Sequence, residues 1–189
     1  MTSTPTSAAH VDPERPAASS ASAPPVLVFM GPAGTGKSTV AGMLAGRLGW
    51  DFQEGDDLHP QENVAKMAAG HALNDDDRWP WLDRVAGWID GQIADGRPGV
   101  ITCSALKRSY RDVLRREQVS FVLLMGDPKL VLERLLRRQG HYMPPSLLTS
   151  QFETLEIPDA DEQAIRIDLD MTPQEQVDEA IALLRLATP

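Results

Sequence analysis

A single cysteine, Cys103, among 189 residues rules out an intrachain disulfide, so the fold must rest on its core, as in a reducing compartment. Basic charge is short too: 18 Lys and Arg face 27 Asp and Glu, giving a net charge of −9. That excludes the broad basic face of a non-specific nucleic-acid or anionic-membrane binder, while leaving room for one cationic pocket. No apolar run approaches the ~18–20 residues of a membrane span. Met1 to Pro25 has neither the basic start nor the apolar stretch of a signal peptide. A cytoplasmic protein is the expectation. What is present is a 42% hydrophobic, 24% charged chain, enough for one domain with a real core.

Residues 1–25 are mostly Ala, Ser, Thr and Pro, and bury too little apolar surface to offset their ordering entropy, so they read as a disordered tail. From Val26 the chain alternates short apolar runs with amphipathic stretches. Val26–Met30, Phe52–Gly55, Val100–Cys103, Phe121–Met125 and Ile165–Leu169 read as strands. Lys37 to Leu48 and Trp79 to Ile93 carry apolar residues at helical spacing. Asp127-Pro128 opens a further helix towards Arg138, and Thr172-Pro173-Gln174-Glu175 is a capping box for the last one. This alternation predicts an α/β domain over about 26–187, a five-stranded parallel sheet with helices on both faces.

Gly31-Pro32-Ala33-Gly34-Thr35-Gly36-Lys37-Ser38 fits the phosphate-loop pattern G-x-x-x-x-G-K-[ST], after a buried strand and before a helix. The glycines let successive N–H groups approach phosphate oxygens, and the helix adds its positive end. Lys37 would bridge the β- and γ-phosphates of ATP, Ser38 would hold Mg²⁺, and Thr39 completes the loop. A GTPase would show an Asn-Lys-x-Asp motif, and a motor ATPase an acidic residue ending the strand at Val100–Cys103; neither is there. A small-molecule kinase is favoured over a nucleotide-hydrolysing switch. Glu54 and Asp56, two apart on an extended chain, would face one side at a strand's carboxyl end. One would take the acceptor's proton and the other hold Mg²⁺ through water; a solvated acidic turn is the plain alternative.

Gly55-Asp56, His59-Pro60, Asn63, Lys66-Met67, Leu73 to Arg78 and Pro80-Trp81-Leu82 form an ordered set with Cys103 to Lys107, Tyr110-Arg111-Asp112, Leu114-Arg115, Gly140-His141 and Gln151 to Glu156. The set resembles the gluconokinase family of P-loop small-molecule kinases. The resemblance implies phosphoryl transfer from ATP to the 6-hydroxyl of D-gluconate, a homodimer, and a mobile lid over about 138–158. It makes Asp56 the residue that deprotonates the acceptor, and Glu54 stands where an aspartate is the usual residue.

Gluconate offers one carboxylate and many hydroxyls. Arg78 would fork onto the carboxylate, or else pair with Asp75 to Asp77 at a helix start. Lys107 and Arg111, four apart, would share a helix face towards the acceptor or towards solvent. His59 would hydrogen-bond the polyol or serve the structure. Arg134 and Arg138, one turn apart before the lid, would face the ATP phosphates, with Arg138 stabilising the group in transfer and Arg137 turned outward. Otherwise all three form a solvated basic helix end. Trp79, Trp81 and Trp88 read as core, Cys103, His59 and His141 lack zinc-ligand spacing, and Asp170 to Pro173 is the expected adenine loop. Shikimate or another small acidic polyol is the alternative acceptor.

Overall fold

The computed structural model describes residues 25–137 and 145–188. The expected tail, the first part of the expected lid and Arg138 and His141 therefore lie outside the described residues, as does the side chain of Arg137.

Five strands, β1 (Val26–Met30), β2 (Asp51–Gln53), β3 (Gly99–Thr102), β4 (Val119–Met125) and β5 (Ala164–Asp168), form one sheet in the order β2-β3-β1-β4-β5. Every pairing is parallel. The described helices are α1 (Lys37–Leu48), α2 (Gln61–Ala68), α3 (Asp75–Ala94), α4 (Arg108–Leu114), α5 (Pro128–Arg137), α6 (Pro145–Thr154) and α7 (Pro173–Leu184). None of them is long and apolar enough to cross a membrane.

β1 lies between β3 and β4 and is buried at all five positions. Its pleat splits the core in two. Leu27 and Phe29 pack with Val40 and Leu44 of α1, Val131 of α5, Leu148 of α6 and Val177 of α7. Val26, Val28 and Met30 face the opposite way, against Trp81, Leu82, Val85 and Ile89 of α3 and Tyr110 and Leu114 of α4. Burying each large side chain in this way contributes roughly 1.5–3 kcal/mol, which is why near-continuous apolar runs specify the central strands.

α1 has the bounds read from its periodicity, and the Thr172–Glu175 capping box at α7 forms as expected. α3 begins four residues earlier than the tryptophan pattern suggests, because Asn74 accepts from the Asp77 N–H while Asp77 accepts from the Asn74 N–H. Trp81 is core, at 1% exposure. β2 stops at Gln53, and Gly55–Leu58 forms a 3-10 turn instead of continuing the strand. Glu54 and Asp56 therefore do not share one side of an extended strand, contrary to the expectation from their spacing.

Candidate active site

The phosphate loop runs from β1 into α1. Gly31 has φ +131°, and a Cβ there would meet Leu124 O at 2.5 Å, so only glycine lets the loop turn beside β4. The loop is braced from within by the Thr35 hydroxyl, which donates to Pro32 O at 2.9 Å. Gly36, at φ 90°, precedes α1 with no side-chain cap, which leaves the first N–H groups of the helix directed at the mouth of the loop. Lys37 Nζ lies over the loop, donating to Gly31 O and Pro32 O at 3.0 Å each. Ser38 and Thr39 are exposed at the same mouth. The residues read as an ATP cradle, Gly31 to Thr39, thus occupy one anion-receptive turn.

Beside it stands the carboxyl end of β3. The Thr102 hydroxyl accepts from the Gly55 N–H at 3.0 Å and donates to the Glu54 carboxylate. Glu54 is therefore held against β3 while Asp56, one step into the turn, keeps a side chain that is 81% exposed. Burial pushes the Cys103 thiol up to about 12, against a hydrogen bond to the Ala105 backbone. Smaller influences on it come from the charges of Asp56, Lys37 and Arg78.

Gly55 is the tightest joint of the site. A Cβ there would lie 1.9 Å from Thr102 O, and Gly55 O accepts from Trp81 Nε1 at 2.7 Å. Gly55→Ala should cost about 1–3 kcal/mol or more by overpacking. It should also lower turnover, because the Asp56 turn must move. Urea denaturation and a kinase assay on the same sample check both.

A small cavity of about 120 Å³ is lined in part by Leu73, Asp75, Arg78, Lys107, Tyr110 and Gln151. Arg78 comes from the first turn of α3 and Lys107 from the N-cap of α4, so two cations distant in sequence meet there. Lys107 Nζ donates to both oxygens of Asp75 at 2.8 Å, and Tyr110 Oη donates to Asp75 Oδ1 at 2.5 Å. Those bonds, with Lys107 foremost, hold the Asp75 carboxyl below the usual range. Arg78 has no ion pair among the described residues; its guanidinium sits 5.8 Å from the Tyr110 ring centroid. The helix-start pairing with Asp75 to Asp77 therefore does not form.

Arg111 is a correction. It is 0% exposed and bonded through Nε and Nη2 to Glu162 at 2.5 and 2.9 Å. Its Nη1 donates to Ala105 O and Leu106 O at 3.3 Å and to Glu156 O at 2.9 Å. It therefore supports from beneath the turn that carries Lys107 and does not reach the cavity. Ala105 in that turn has φ 41°, left-handed backbone that a non-glycine residue adopts only when its surroundings hold it there. Lys107 has extended backbone, with φ −96° and ψ 150°, so the four-residue spacing does not put it on one face with Arg111.

His59 is 9% exposed and stacked on Trp81, with ring centroids 4.3 Å apart, rather than open to the cavity. Arg134 donates to Leu169 O at 2.7 Å, anchoring α5 to the segment that leads into the expected adenine loop. Gln151 is a residue to which the sequence reading gave no role. From α6 its Oε1 accepts from the Ala33 N–H at 2.7 Å, tying the cavity to the phosphate loop across 118 residues. Its place in the quoted Gln151 to Glu156 string was the one available signal.

A shikimate kinase family model matches residues 33–182. A gluconokinase of Gluconobacter oxydans is 50% identical over 160 residues, covering 84% of this chain and 90% of that protein. Among solved structures, a Janibacter sugar kinase superposes with a TM-score of 0.82 at 43% identity, covering 87% of this chain and 96% of the other. A Sinorhizobium meliloti gluconokinase does so with 0.78 at 46% identity, covering 87% and 94%. A phosphate loop leading into an uncapped helix, an open carboxylate beside it and a two-cation cavity are thus set on a shared backbone, and the chain belongs to the gluconokinase family of ATP-dependent P-loop small-molecule kinases.

Proposed function

We propose that the protein transfers the γ-phosphoryl group of ATP to the 6-hydroxyl of D-gluconate, giving 6-phosphogluconate and ADP. The observation that carries this reading is the convergence of Arg78 and Lys107 on a small polar cavity joined to the phosphate loop through Gln151. Two cations suit one carboxylate, while Asp75 and Tyr110 offer partners to hydroxyls. Gluconate held by its carboxylate there would present its far end towards Asp56.

In the reaction the 6-hydroxyl oxygen forms a bond to the γ-phosphorus as the bond to the β,γ-bridging oxygen breaks, and the hydroxyl proton passes to Asp56. Lys37 leaves its two loop carbonyls to neutralise the β- and γ-phosphates, and the N–H groups of residues 34–38 hold them. The protein's part is mainly positioning and charge neutralisation around a loose transition state. Arg134 and Arg138 belong to this proposal as phosphate-facing residues, and residues 138–158 as a closing lid.

Mg²⁺ fits the donors present. Ser38 would hold it directly and Glu54 through water, and no cluster of three His, Cys, Asp or Glu among the described residues forms a dedicated cage. That is the pattern for an ion held mostly by phosphates and water. When bound, Mg²⁺ would supply charge neutralisation at the ATP phosphates. A homodimer and a cytoplasmic location complete the proposal, and light scattering tests the first.

Shikimate is the second acceptor to test, because a shikimate kinase model matches most of the chain. ADP release should be measured with gluconate, shikimate, other sugar acids and no acceptor. Gluconate should give the highest kcat/KM. Hydrolysis without acceptor as fast as any stimulated rate would support the nucleotide switch instead.

A further inference from the structure

His59 and Asn63 are two of the few polar side chains buried in the described part of the molecule, at 9% and 4% exposure. Asn63 Nδ2 lies 2.7 Å from Asp77 O and 3.3 Å from His59 Nδ1. A backbone carbonyl can only accept, so the contact with Asp77 O fixes which end of the Asn63 amide is nitrogen. That nitrogen carries only hydrogens to offer, and the ring nitrogen facing it must accept. Nδ1 of His59 is therefore unprotonated, and the proton of the neutral ring is on Nε2. Nε2 faces Asp56 Oδ1, 3.9 Å away.

The ring cannot easily turn away from this position. It stacks on Trp81 at an interplanar angle of 16°, and the same indole bonds the carbonyl of Gly55, the residue before Asp56. One aromatic side chain thus registers both the imidazole and the turn that carries the carboxylate. Neutrality has its own cause: burial lowers the His59 pKa, Arg78 and Arg84 press the same way, and Asp56 opposes them. A protonated ring would also set an Nδ1–H against the Asn63 amide hydrogens.

We propose that His59 is a positioning residue, locked by Asn63 as the Nε2–H tautomer, which donates to one oxygen of Asp56 and leaves the other for the acceptor hydroxyl. The 3.9 Å separation closes to a hydrogen bond when the acceptor enters, as catalytic contacts tighten in the substrate complex. A neutral donor suits the task, because it orients a carboxylate without the full counter-charge that weakens a base. This assigns His59 to Asp56 rather than to the polyol, and it rests on Asp56 being the base.

The tautomer is read directly from the ¹⁵N shifts of the unmodified protein, with His59 assigned by loss of its signals in His59→Gln. Nδ1 should fall in the unprotonated range and Nε2 in the protonated range; the reverse would overturn the proposal. His59→Ala should lower kcat by about 10- to 100-fold through misplacement of the base, with gluconate KM within about twofold. His59→Gln, whose amide N–H stands near the Nε2 position, should recover most of the loss. In an Asp56→Asn background His59→Ala should cost nothing further, since the residue acts through Asp56. A raised gluconate KM at unchanged kcat would make His59 a polyol ligand. Equal losses in Ala and Gln, or an undiminished loss in the Asp56→Asn background, would also overturn the proposal. If the wild type phosphorylates another acceptor and not gluconate, the function reading fails separately, and the imidazole shifts still decide the tautomer.

Discussion

Exchanging Asp56 for asparagine should lower kcat at least ~10²-fold and leave ATP affinity within about twofold, the signature of losing a general base. The substitution keeps the size of the side chain and removes its charge and proton affinity. Nothing in the ATP cradle depends on it, because that cradle is built from residues 31–39 and the start of α1. The Asp56 side chain is 81% exposed, so the change leaves no buried group unpaired and the fold should be untouched. Steady-state kinetics with saturating gluconate, together with calorimetric titration of ATP, separates the two effects. A kcat near that of the wild type would remove Asp56 from the proton-transfer role.

Replacing Glu162 by alanine should destabilise the protein by about 3–5 kcal/mol, because it would leave the Arg111 cation buried and uncompensated. Arg111 and Glu162 have side chains 1% and 0% exposed, and Glu162 also accepts from the Asp159 N–H at 3.0 Å. Set against the ~5–15 kcal/mol typical of a domain, that loss is large. It has a functional arm as well. Arg111 supports the carbonyls of Ala105 and Leu106, so the neighbouring Lys107 should lose its place and gluconate KM should rise. The double replacement Arg111→Met/Glu162→Leu should regain much of the stability, since apolar residues of similar volume remove both charges together. Urea denaturation checks the stability series. A Glu162→Ala protein as stable as the wild type would show that the pair carries no such weight.

The same pair sets a pH dependence. The Arg111 guanidinium holds the Glu162 carboxyl below its ordinary value of 4.5. Its contribution to stability is therefore complete above that pH and is lost as the pH falls further. His59, lowered from 6.5, acts in the same sense at higher pH: the unfolded chain takes up a proton near 6.5 that the native ring refuses, so stability declines as the pH drops below that value. His59→Gln should flatten the upper limb and Glu162→Gln the lower one.

The phosphate loop and central strands were legible because their signals are local. Glycines at required turns and apolar runs of strand length do not depend on what lies far away in the sequence. α2 was not legible: it is eight residues long and buries only Asn63, so hydrophobic periodicity has nothing to register. The Glu54–Asp56 geometry was misread because β2 ends at Gln53, where Thr102 and Trp81 draw the chain into a turn. Arg111 looked like a surface cation because nothing in its own helix marks Glu162, 51 residues on, as its partner. Gln151 was hidden likewise, because its bond to Ala33 exists only once α6 has folded back over the phosphate loop. Long-range polar contacts, more than the elements themselves, are what the one-dimensional pattern conceals.

The claim that the two-cation cavity orients gluconate with its far hydroxyl at Asp56 is tested most directly by ³¹P NMR of the product formed from gluconate and ATP. The account predicts ADP and a phosphomonoester whose phosphorus couples to the two protons of the C6 methylene. A phosphate ester on a secondary carbon, or inorganic phosphate as the sole new signal, would contradict it.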